Sequence, residues 1–255
     1  MSILWAKMVE NLADVKRAVS DGFDRFQPTI EFLMTSGEEF RKQGVVIPEV
    51  CSSPLPPDAR VTQMGFNIYV WTEYLKKAVR SAAAQGCEKL TWSDGRARIL
   101  PLEGDVSLVK EQVLQFLYLL CEIAENFGIT VLVEPLGPRR TNFLNSMEEM
   151  ADFLPLVGKE NLSSMISLRE LSEIGLKTEE FERYARLITH VQMENPLVQD
   201  GRRLAPRRND SYDYVPFLRA LRRIGYKMLI TLPEDADVDS LEYCRELWDA
   251  ADEAT

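Results

Sequence analysis

Histidine is almost absent from this chain: His190 is the only one among 255 residues. A metal cluster built on several imidazoles is therefore excluded by count. Cys51, Cys87, Cys121 and Cys244 are scattered, show no CxxC spacing and lie in apolar-looking runs, the pattern of reduced, structural thiols that pack as small hydrophobes. No GxGxxG follows the first strand-like run, which weakens a dinucleotide-binding reading. Long apolar runs are missing as well. Nothing approaches the roughly 20 residues needed to span a bilayer, and the opening "MSILWAKMVENLADVKR" lacks a basic start, a long apolar stretch and a small-residue cleavage site. A cytoplasmic protein with no membrane partner is the expectation. Positive charge is in deficit, with 30 Lys and Arg against 40 Asp and Glu and a net charge of −10. A polyanion would be repelled at long range, so no nucleic-acid partner is expected.

What the chain does have is 45% hydrophobic residues and no low-complexity tract, enough to bury a large core. Short β-rich runs alternate with helical ones. "VVIPEVCS" (45–52) precedes a helical 67–86 closed by Gly86, and "CEKLTWS" (87–93) precedes a helical 107–128 with Ser107 as N-cap and Gly128 at its end. "ITVLVE" precedes "SMEEMADFLPLVG", where Ser146 and Glu149 form a capping box. "SSMISL" (163–168), "ITHVQM" (188–193) and "KMLITL" (227–232) each precede a further helix, and two weaker pairs, "ILWAKMV" with "LADVKRAVSDG" and "FDRFQPTI" with "GEEFRKQG", open the chain. Eight βα units in this length predict a (β/α)8 TIM barrel spanning residues 1–255 as one domain, with a doubly wound open sheet as the alternative.

In a barrel the C-terminal strand ends meet at one mouth. Glu134, which ends the run "ITVLVE" just before Pro135, would sit there; a purely structural alternative is an ion pair with Arg139 or Arg140 on the next loop. Arg96 and Arg98 follow the fourth strand, Arg139 and Arg140 the fifth, and Arg202, Arg203, Arg207 and Arg208 the seventh. Guanidinium groups gathered at one end suit a phosphate or carboxylate. The alternative is a solvated face paired with acids.

The segment "VLVEPLGPRRTNFLNSMEEM" resembles the sugar isomerase/epimerase superfamily with a xylose isomerase-like barrel, which includes ketose 3-epimerases, hydroxypyruvate isomerases and endonucleases acting on abasic DNA. The acid-Pro-Leu strand end and Thr-Asn segment are Glu134, Pro135, Leu136, Thr141 and Asn142. "WSDGRARILP" (92–101) resembles a Ser-x-Gly-x-x-Arg loop of some members, and "HVQMENP" (190–196) the His-x-Gln strand end of others. The resemblance implies a divalent metal held by acid, acid, His or Gln, and acid at four strand ends, where it stabilises an enediolate formed next to a sugar carbonyl.

Carried over residue by residue, the resemblance implies an incomplete site. Glu134 matches the first acid and Gln192 the amide ligand, while the second acid falls on Ser167 and the last on Pro233. Glu234 lies one residue too far unless the chain bulges at Pro233, and Glu170 reads as a solvent-exposed acid, with a reach to the mouth from its loop as the alternative. Gln27 and Ser52 replace further mouth residues of relatives. A divalent cation (Mn²⁺, Mg²⁺ or Zn²⁺) is therefore expected to bind weakly or not at all. Glu134 and His190 are the catalytic candidates, with the bland role of a hydrogen-bonded core residue standing beside the second. Glu134 and Gln192 are the metal candidates, and Arg98, Arg140, Asn142, Ser167 and Arg203 the substrate-binding ones. The implied function is that of a sugar or sugar-acid isomerase or epimerase-like protein, acting on a sugar, sugar phosphate or sugar acid. The alternative is a barrel that binds an anionic small molecule without turnover. Abasic-DNA cleavage needs a His-rich multi-metal site that one histidine does not build.

Overall fold

Short β-branched runs bounded by polar turns become strands when both faces are covered, and that is how this chain uses them. The computed structural model describes residues 3–42, 49–52, 54–56, 58–63, 65–198 and 202–252. Its strands are β1 Leu4–Val9, β2 Arg25–Pro28, β3 Val50–Ser52, β4 Lys89–Trp92, β5 Thr130–Val133, β6 Leu162–Ser167, β7 Ile188–Gln192 and β8 Leu229–Leu232. All pair in parallel in the order β2-β1-β8-β7-β6-β5-β4-β3. A parallel bridge between Thr29 and Ser52 joins the two ends of that order, so the eight strands form a nearly closed barrel. The expected barrel is present and the open sheet is excluded. Residues 45–48 of the third run lie outside the described residues.

The helices are α1 Leu12–Ser20, α2 Ile30–Lys42, α3 Ile68–Ala84, α4 Val106–Glu125, α5 Met147–Phe153, α6 Leu168–Ile174, α7 Phe181–Tyr184, α8 Val215–Arg223 and α9 Val238–Ala250. Each turns an apolar stripe inward; in α8 it is Phe217, Leu218, Ala220 and Leu221. The cap of α4 differs from expectation. Asp105 accepts from the Ser107 and Leu108 amides, because its carboxylate sits ahead of the first turn whereas Ser107 is already helical. Ser146 caps the Glu149 amide as expected, but the Glu149 carboxylate accepts from Asn145 N instead of closing a box on Ser146. Helix α6, which starts directly after β6, was not anticipated by the sequence pattern.

Two apolar regions result. The main core lies between strands and helices and includes Trp92, Val131, Val133, Ile166 and Val191. A small cluster of Ala6, Val50 and Leu229 with Leu4 fills the lower barrel interior. One step further along the strands the interior turns polar. His190 Nε2 lies 3.1 Å from Gln27 Oε1 and 3.3 Å from Thr231 Oγ1, all three buried. The four cysteines are buried free thiols.

Candidate active site

Strand alternation carries the polar interior up to the mouth. From His190 the period of two places Gln192 and then Glu194 along one face of β7 and its extension, and all three are buried. Glu134 follows β5, its amide donating to Trp92 O at 3.2 Å. The carboxylate is fully buried, and neither oxygen has a hydrogen-bond partner. Burial pushes its pKa up and Glu170 adds to the rise, while Arg203, Arg140 and the nearby Ser93 hydroxyl pull it back.

Arg203 gathers this group. Its Nη1 donates to Gln192 Oε1 at 2.6 Å and lies 3.2 Å from Glu194 Oε1, and its Nη2 lies 3.9 Å from Glu134 Oε2. Burial alone would lower its pKa, but Glu194, Glu134 and Glu170 raise it, so the guanidinium stays charged. Ser167 Oγ donates to Glu194 Oε2 at 2.6 Å. The carboxylate missing at Ser167 is thus supplied by the neighbouring strand end.

Loops brace these residues from outside. Glu170 corrects the expectation of an exposed acid: it is buried, accepting from Gly137 N at 2.8 Å and Arg140 Nη1 at 3.0 Å. Arg140 is therefore partnered by Glu170, and the suggested Glu134 pair with Arg139 or Arg140 is not what forms. Arg139 instead lies beside Glu173. Arg98 is wholly buried, stacks over the Trp92 ring 5.4 Å from its centroid and donates to the Glu134 carbonyl. Burial lowers its pKa to about 10. Thr141 Oγ1 donates to Arg98 O at 3.1 Å, and Asn142 clamps Leu100 through both its amide atoms, at 2.7 and 3.0 Å. The Thr-Asn segment thereby ties the loop after β5 to the loop after β4. Gly95 lets them meet, since a Cβ there would stand 2.6 Å from Arg140 O.

Above the floor opens a cavity of about 1160 Å³, lined among others by Ser93, Arg96, Arg139, Arg140, Arg169 and Arg203. Arg207 and Arg208 point elsewhere: they are held by Asp235 and Asp237, and by Glu246. Of the expected site residues only Arg140 and Arg203 line this cavity; Glu134, Ser167, Gln192, His190, Asn142 and Arg98 do not. His190 sits a layer below, where burial and the Lys89 charge depress its pKa to about 3. It is neutral and packed in the polar interior. Sequence reasoning missed Glu194, although "HVQMENP" already placed it two residues after Gln192.

The donor set does not fit a resident divalent metal. Among the described residues no group of three or more His, Cys, Asp or Glu side chains is arranged to hold one. Ser167 and Glu194 are bonded to each other, Pro233 offers no donor, and Glu234 is exposed beyond a turn closed by Ala236 N on Pro233 O. The guanidinium of Arg203 already lies among the remaining oxygens.

Residues 70–247 match the family model of the xylose isomerase-like TIM barrel. No curated protein matches the chain. Among solved structures, a xylose isomerase domain protein from Alicyclobacillus acidocaldarius superposes with a TM-score of 0.78 at 16% identity, covering 98% of this chain and 100% of its own. An L-ribulose 3-epimerase gives 0.78 at 14% identity, with 99% and 96% covered, and a D-tagatose 3-epimerase-like protein gives 0.78 at 18%, with 98% of each chain covered. At such identity the likeness is one of fold. The family match spans most of the barrel, and this chain belongs to the xylose isomerase-like TIM barrel family.

Proposed function

We propose that the chain is a carbohydrate isomerase or epimerase-like enzyme that moves a proton next to a carbonyl, with residues 1–255 acting as one barrel domain. The observation that carries the reading is Glu134: a fully buried carboxylate with its pKa raised, held in an ion contact at 3.9 Å by Arg203, which itself lines the arginine-bearing cavity. A raised pKa suits a general base working near neutral pH. The proton leaves the carbon beside the carbonyl for the carboxylate, and negative charge grows on the substrate oxygen. Cationic groups fixed beforehand at that oxygen, Arg203 and Arg140, stabilise it. The substrate class is an anionic sugar, a sugar phosphate or sugar acid, because Arg96, Arg139, Arg140, Arg169, Arg203 and Lys77 outnumber the acids Glu10, Glu31, Asp94 and Glu173 in the cavity lining. His190 takes no direct part, and Asn142 and Arg98 act by holding loops. The epimerases among the structural neighbours are consistent with this chemistry.

Incubation with phosphorylated ketoses and keto-acids in deuterated water tests the reading. Deuterium should enter the carbon beside the carbonyl, and Glu134→Gln should reduce that exchange by about a hundredfold or more, the scale of general-base catalysis. Exchange unchanged by the substitution would remove Glu134 as the base. A second reading, binding without turnover, is favoured by Glu194 and Gln192 being engaged with Arg203. It predicts ligand-induced thermal stabilisation with no exchange.

A further inference from the structure

Three of the four strand-end positions that would hold a metal in this family converge here on one side chain. Arg203 contacts Glu134, which ends β5, and Gln192, which ends β7, and it reaches Ser167 at the end of β6 through Glu194. The fourth position, after β8, is Pro233, which contributes nothing. We infer that Arg203 is a built-in cation: its guanidinium stands where the oxygen ligands of a divalent metal would meet, and binds the substrate's adjacent oxygens in its place.

The charges agree with this assignment. Arg203 sets one positive charge between the carboxylates of Glu134 and Glu194. A divalent ion entering the same space would face the guanidinium at a few ångströms, in a partly water-excluded site where like charges repel strongly. The carbonyl of Gln192 and one carboxylate oxygen of Glu194 would also have to be taken from Arg203 before they became ligands. Geometry suits the substitution as well. A guanidinium presents parallel N–H donors in a planar fork, matched to two oxygens on neighbouring atoms, such as a carbonyl and the hydroxyl beside it. Arg203 keeps 24% of its side-chain surface exposed and lines the cavity, so part of that fork faces the ligand.

The proton balance needs no further reactant. A C–H bond next to the carbonyl breaks, its proton passes to the Glu134 carboxylate, and the electron pair forms the enediolate whose oxygens Arg203 holds. Glu134 then returns the proton to the neighbouring carbon while the hydroxyl proton passes between the two enediolate oxygens, which exchanges carbonyl and alcohol and completes an isomerisation. This step rests on the proposed isomerase reading, but the cation assignment is testable without any substrate. Free Mn²⁺ followed by electron paramagnetic resonance should show no binding to the wild type at millimolar metal. Arg203→Ala should gain at least about tenfold in Mn²⁺ affinity, Arg203→Ala with Ser167→Asp more, and Arg203→Lys nothing, since it keeps the charge. Thermal unfolding of each variant establishes that it is folded. Micromolar Mn²⁺ binding to the wild type that disappears in Glu134→Gln would overturn the assignment, because Arg203 would then swing aside for metal. So would folded Arg203→Ala that gains no affinity. If no sugar is ever turned over, the isomerase reading fails while these titrations still stand.

Discussion

Glu134 holds its carboxylate away from water with no hydrogen bond to either oxygen, an arrangement that costs stability. Its folded pKa lies above the ordinary 4.5. Between those two values the folded state binds the extra proton, so this group's contribution to stability falls as pH rises through that window. Glu134→Gln should therefore melt higher than wild type, by a margin that grows as pH rises above the ordinary carboxylate range, while losing activity. Denaturation curves at several pH values measure it; a variant less stable at neutral pH would mean that the ion contact with Arg203 outweighs burial. His190 has the opposite slope. Its pKa is about 3 when folded against an ordinary 6.5, so the unfolded state takes up the proton first. Its contribution is complete above pH 6.5 and is lost as pH falls towards 3, by on the order of 4 kcal/mol in all. Since it is the only histidine, its imidazole resonances are unambiguous by NMR and should not shift between pH 5 and pH 8. A midpoint near 6.5 would place the ring in contact with water.

At the scale of elements, the site depends on two loops meeting. Gly95 is forced by contact, not by conformation: an added Cβ would lie 2.6 Å from the Arg140 carbonyl, a backbone atom that cannot step aside alone. Gly95→Ala should cost about 1–3 kcal/mol and weaken anionic ligands by displacing Arg140. Gly137→Ala meets the Glu173 carboxylate instead, the end of a flexible side chain, and should cost less. Urea denaturation of the two variants gives the ranking, and the reverse order would show that the loop after β4 yields more readily than α6. Asn142, although exposed, holds Leu100 N and O. Asn142→Ala should lose roughly 1–2 kcal/mol and speed hydrogen exchange at Leu100, with the chemical step at Glu134 left intact.

For the whole molecule, an overall charge of −10 coexists with a mouth that gathers five arginines. Distant acids repel an anionic ligand weakly through water, while the mouth attracts it at short range where salt screens less. Sugar phosphates or sugar acids should raise the melting temperature, with about 2.7 kcal/mol of added stability at 100 times the dissociation constant. Neutral sugars of the same skeleton should do less. Equal stabilisation by both would make the arginines scaffold for Glu170, Glu173 and Glu194, not a ligand site.

Alternation of β-rich and amphipathic runs is a local property, and by itself it determined the eight-stranded parallel barrel, while the family was legible only in the motif "VLVEPLGPRRTNFLNSMEEM" and the two segments that accompany it. Strand period made Glu134, Ser167 and Gln192 neighbours at one mouth, because parallel strands bring their C-terminal ends together. The same period reaches Glu194, two residues beyond Gln192 in "HVQMENP" and outside the ligand positions that the resemblance implies. Partner choice was beyond the sequence. Which of the loop arginines faces the cavity, and which is held by Asp237 or Glu246, depends on loop paths of many residues whose ends only the folded barrel fixes. The burial of Glu170, the neutral state of His190 and the meeting of Arg203 with Glu134, Gln192 and Glu194 are likewise decided by tertiary structure, since solvent exclusion and charge proximity are properties of positions in space.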